Sequence, residues 1–131
     1  MAETTKTRPK FLDLAVIRLP LPGFVSILHR VSGAGLFLIL PFLLCLLQLS
    51  LDSRPEAGAA FLALTGNVFV KLLLLGLCWA YLHHFCAGIR FLLLDVHVGI
   101  EIDAARRSAK AVMVVSLLLT TFVAAKIFGG I

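Results

Sequence analysis

Apolar residues along this chain come in long unbroken runs, not in the alternating or one-faced patterns of soluble strands and helices. Positions 31–51 carry no charged residue, and about 20 such residues are enough to cross the hydrocarbon of a bilayer. The first helix is expected to start earlier, near Phe24, and to bend at Pro41, which cannot donate a helix hydrogen bond. Residues 52–58 read as a short polar loop that ends this crossing at Pro55. A second apolar run covers 61–94 and is interrupted only by Lys71, His83, His84 and Arg90. A charged connection over 95–110 follows. The third run fills 111–131 and admits Lys126 near its end, where a long side chain can reach the headgroups.

The pattern predicts an all-α integral membrane protein with three transmembrane helices. Their approximate bounds are 24–51, 61–95 and 106–130, within a membrane domain of 23–131. Residues 1–22 form a basic, then semi-apolar tail with Pro9, Pro20 and Pro22. Its stretch from Phe11 onward mixes Leu12, Leu14, Val16 and Ile17 with charges, as a segment lying on the membrane surface does.

Composition agrees with this reading. Hydrophobic residues make up 60% of the 131 and mean hydropathy is +1.04, whereas soluble domains hold roughly 45–50% apolar residues. The net charge of +5 raises the question of nucleic acid. The bases do not line a patch with interleaved aromatics, however, so nucleic acid is not an expected partner. They gather between Lys6 and Arg18 and between Arg106 and Lys110, while Arg54 in the first loop is accompanied by Asp52 and Glu56. Cytoplasmic loops are the ones enriched in Lys and Arg. This places the N-terminus and the second loop in the cytoplasm and the first loop and C-terminus on the far side. No signal peptide is recognised, and Cys45, Cys78 and Cys86 sit within apolar runs as small hydrophobes, without metal or disulfide spacing.

Ionisable groups inside a crossing cost roughly 2.5–3.5 kcal/mol each on insertion scales and usually mark function. Two groups stand out. Ser26, His29, Arg30 and Gly33 fall at i, i+3, i+4 and i+7, which puts a hydroxyl, an imidazole, a guanidinium and a gap on one side of the first helix. They suit an anionic or carbonyl-bearing ligand below the headgroups, or else anchor the helix to lipid phosphate. In the second crossing, Gly76, Ala80, His84 and Gly88 recur every four residues. Such a lane serves close helix packing, or lets a porphyrin lie flat with His84 as axial ligand to its iron. His83, turned about 100° away, shares a face with Arg90 and is read as packing and headgroup contact. His84 lies eleven residues before Asp95, about 16 Å deep at 1.5 Å per residue, on the side from which the Ser26–Arg30 group enters. A haem at His84 would therefore bring its propionates toward His29 and Arg30.

Ser26-Ile27-Leu28-His29-Arg30-Val31-Ser32-Gly33, with His84-x-x-x-Gly88-Ile89-Arg90 followed by Asp95, resembles the cytochrome b556 membrane-anchor subunits of bacterial succinate dehydrogenase, respiratory complex II. Arg8-Pro9 in the tail and Arg106-Arg107-Ser108-Ala109-Lys110 before the third helix fit the same family. The resemblance implies a four-subunit enzyme of the bacterial inner membrane, acting in electron transport and the tricarboxylic acid cycle. A flavoprotein with FAD and an iron–sulfur subunit oxidise succinate. Two small anchors share one haem b and form the ubiquinone site. It implies His84 as one axial ligand to haem iron, His29 and Arg30 at the propionates, and Ser26 and Arg30 at the quinone. This chain holds no flavin or iron–sulfur ligand set and does no succinate chemistry alone. Phe91 stands where some relatives carry a further histidine, and Asp95 is a candidate for proton delivery. The competing readings are a cofactor-free anchor or small transporter, and a different b-type cytochrome.

Overall fold

The computed structural model describes residues 18–129. The basic tail, Arg8-Pro9 and most of the surface segment expected over 11–22 lie outside them. Four helices follow in order: α1 (Leu21–Leu51), α2 (Pro55–Gly66), α3 (Val68–Asp95) and α4 (Ile102–Gly129). Among the described residues no strand forms. α1, α3 and α4 are each long and apolar enough to cross a membrane. At 31 and 28 residues they reach about 46 and 42 Å, longer than the roughly 30 Å hydrocarbon core. α1 continues through Pro41 without interruption.

The region between the first two crossings differs from the sequence expectation. Pro55 does not prolong a loop but begins α2, where its missing N–H costs nothing at the first helical position. Glu56 adds an acid to that first turn, favoured by the helix dipole. The expected helix over 61–95 is instead divided at Asn67. This residue is extended (φ −69°, ψ 130°), closes α2 and caps α3, its side chain accepting the N–H of Phe69 at 2.9 Å. The remaining linker, 52–54, is fastened by Arg54, which meets Asp52 at 2.6 Å. The Arg54 guanidinium and backbone N–H hold the Asp52 carboxyl below its ordinary range.

α3 ends on a left-handed residue. His97 has φ 62°, its N–H bonds the Leu94 carbonyl at 3.0 Å, and the Val98 N–H bonds Leu93 at 2.9 Å. These two bonds satisfy carbonyls that the helix leaves over and turn the chain toward α4.

α3 packs against both α1 and α4, which also touch one another, while α2 rests on α1 and α3. Their shared interior is small. Val25, Ala87, Ala109 and Val112 form its core, with alanines admitting close approach of α3 and α4. Phe37 and Leu38 remain 75% and 77% exposed, as suits side chains that face lipid.

Arg90 fastens α3 to α4. It is buried, donates from Nε to Ser108 Oγ at 3.0 Å and from its terminal nitrogen to the Ala105 carbonyl at 3.3 Å, and lies 5.3 Å over the Phe91 ring. It is thus a packing group, and the headgroup contact expected for this face is not how the structure uses it. Bonds to a charged group contribute roughly 1.5–3 kcal/mol. Arg90→Ala should lower the thermal midpoint of the detergent-purified protein; an unchanged midpoint would contradict this role.

Candidate functional site

Helical geometry decides which of the expected site residues meet. At 100° per residue, Val25, His29, Ser32 and Gly33 turn to one side of α1. Val25 is fully buried and Ser32 nearly so. This side faces α3. Ser26 and Arg30 lie at its edge, Ser26 half-buried and Arg30 exposed. The four-residue face expected from the sequence is therefore divided: His29 and Gly33 enter the α1–α3 seam, and Arg30 points out of it.

His84 occupies that seam. Its ring stacks on His29 with centroids 4.1 Å apart and planes 7° from parallel. Its Nδ1 lies 2.9 Å from the His29 carbonyl oxygen and 3.3 Å from Ser32 Oγ. Gly33 is the floor: a Cβ placed there would stand 2.7 Å from His84 Cε1, closer than non-bonded atoms approach. Phe91 closes one side, its ring 5.1 Å from that of His29. The polar atom of the ring that forms no hydrogen bond among the described residues is Nε2.

The small-residue lane on α3 is used in parts. Gly88 faces the His29 ring, with Nε2 3.7 Å from where a Cβ would be. Farther along, Gly76 and Ala80 line a groove of about 380 Å³ together with Ser32, Gly35, Val31 and Trp79. His83 points elsewhere. It is fully buried beside Trp79, ring centroids 5.5 Å apart, and neither ring nitrogen finds a partner among the described residues. Asp95 ends α3 and is exposed.

Ser32 had no role assigned from the sequence. Its signal was available: it lies seven residues after Val25, on the same side of α1. The described residues contain no cluster of three or more His, Cys, Asp or Glu side chains. No third such side chain joins the stacked imidazoles of His29 and His84 in the seam, and the three cysteines are free.

Comparison with known proteins agrees with this architecture. The family described as Succinate dehydrogenase/Fumarate reductase transmembrane subunit matches residues 4–123. Proteins named succinate dehydrogenase cytochrome b556 subunit are similar over most of their length. The one from Coxiella burnetii is 35% identical, covering 85% of this chain and 89% of its own. That from Paracoccus denitrificans is 32% identical, covering 91% and 92%. That from Rickettsia felis is 31% identical, covering 90% and 91%.

Proposed function

Because this chain belongs to the succinate dehydrogenase/fumarate reductase transmembrane subunit family, we propose that it anchors succinate:ubiquinone oxidoreductase, holds haem b through His84 and helps form the ubiquinone site. It is a multi-pass membrane anchor of complex II. Its partners in this reading are a flavoprotein, an iron–sulfur subunit and a second anchor that would share the haem. The distribution of Lys and Arg supports an inner-membrane topology with the N-terminus cytoplasmic and the C-terminus periplasmic.

The observation that carries this reading is the setting of His84. Its ring is fixed on Nδ1 by α1 while Nε2 has no hydrogen bond among the described residues, the state of an imidazole that ligates metal. The residues present fit a haem: Gly33 gives the ring its space, and Gly76 and Ala80 leave an apolar groove farther along α3. A haem held there would supply one-electron transfer. His29 and Arg30 sit toward the end of α1 where propionates would find an imidazole N–H donor and a guanidinium.

For the quinone, Ser26 and Arg30 at the edge of the seam have complementary roles. Reduction of ubiquinone to ubiquinol takes two electrons and two protons, and negative charge develops on the carbonyl oxygens before protonation. The Ser26 hydroxyl donates to one such oxygen. Arg30, a fixed cation at the membrane boundary, stabilises the charge where water is scarce. No residue here oxidises succinate; that chemistry belongs to the partner subunits.

The test separates two assays on the assembled complex. Ser26→Ala and Arg30→Leu should each slow ubiquinone reduction about 10²-fold, the order lost when one oxyanion donor is removed. Succinate oxidation with a soluble dye should remain at the wild-type rate. Equal losses in both assays would defeat the quinone role.

A cofactor-free anchor is the second reading, and the stacking of His29 on His84 favours it. Haem content of the purified complex distinguishes the two.

A further inference from the structure

We propose that Ser32 is a positioning residue for His84: with the His29 carbonyl it holds the ring proton on Nδ1, turns Nε2 outward as the donor nitrogen and strengthens that donor. The inference rests on the haem reading above and adds to it a residue and a direction.

The proton assignment follows from the carbonyl. A backbone oxygen only accepts hydrogen bonds, and His84 Nδ1 lies 2.9 Å from that of His29. Were Nδ1 bare, two lone pairs would face each other at this distance. Nδ1 therefore carries the hydrogen and donates it. A neutral imidazole has one N–H, so Nε2 keeps its lone pair.

Ser32 acts on the same pair of atoms. Its hydroxyl donates to the His29 carbonyl at 3.0 Å, which leaves its own lone pairs available to Nδ1–H at 3.3 Å. The carbonyl is crowded, because helix geometry also directs the Gly33 N–H to it. A second acceptor is thus valuable to the ring. Ser32 is only 8% exposed within a span, where water does not readily replace a lost hydroxyl. An Nδ1–H engaged by two oxygens gives the ring more anionic character. This strengthens donation from Nε2 and favours the ferric over the ferrous state.

The test is made on the purified four-subunit complex, with haem content, haem midpoint potential and the ferric low-spin resonance as readouts. Ser32→Ala should raise the midpoint potential, shift the ferric resonance and reduce haem retention by no more than about tenfold, the lower end of what outer partners of a metal-bound histidine contribute. Ser32→Thr, which restores the hydroxyl, should return potential and resonance to the wild-type values. An unchanged or lowered potential in Ser32→Ala would overturn the inference. So would equal haem loss in Ser32→Ala and Ser32→Thr, because the damage would then be steric. His84→Ala separates the two levels: haem-free His84→Ala beside an unchanged Ser32→Ala defeats the positioning role alone, whereas haem retained in His84→Ala defeats the haem reading itself.

Discussion

Gly33→Ala should strip the assembled complex of haem at least tenfold while leaving α1 intact. A Cβ at position 33 would stand 2.7 Å from His84 Cε1 and 3.2 Å from Nδ1. The ring end is the part most readily displaced, and an imidazole that swings away loses the His29 carbonyl and the stack on the His29 ring. Outer contacts of this kind contribute roughly 10–100-fold to metal affinity. The helix itself would gain, because Ala is more favourable than Gly inside a helix by about 0.8–1.0 kcal/mol. Loss of haem would thus not reflect loss of fold. Gly58→Ala is the control. It lies in α2, away from the seam, and nothing stands within 4 Å of where its Cβ would be, so haem should be kept. The check is the pyridine haemochrome content of the two purified variants. Equal retention would show that the ring does not need the seat that Gly33 provides.

These contrasts also show what could be read from the residues and what could not. The three crossings were legible because uncharged runs of span length have few alternatives. His84 stood out because glycine and alanine flank it at four-residue spacing. The break at Asn67 was missed because the apolar run continues across it. Its local signal, a glycine followed by a capping asparagine in Gly66-Asn67, was weak against so much hydrophobicity. Pro55 was read as a stop, although its fixed backbone angle serves a helix start equally well.

The direction of α1 was the subtler matter. Spacing alone groups Ser26, His29, Arg30 and Gly33 within about 100° of arc, and cannot say which edge of that arc meets α3. Burial of Val25 and Ser32 answers this: the seam is centred on their side, so His29 enters and Arg30 does not. Arg90 and His83 were legible as one face. That Arg90 would be interior followed only from α4 arriving with Ser108 and the Ala105 carbonyl opposite it.

His84 and His83 make the closing comparison, because they are chain neighbours with different surroundings. His84 meets α1 with Nδ1 engaged and Nε2 without a hydrogen bond among the described residues, whereas His83 is enclosed by protein with neither ring nitrogen partnered among them. The proposed reading assigns iron to the first and not to the second. The deciding measurement is the reduced-minus-oxidised visible spectrum of the membrane-bound complex carrying His84→Ala or His83→Ala, with succinate–dye activity confirming assembly in each. The b-type absorbance should vanish in His84→Ala and persist in His83→Ala. A full b-type signal in assembled His84→Ala would contradict the account at its centre.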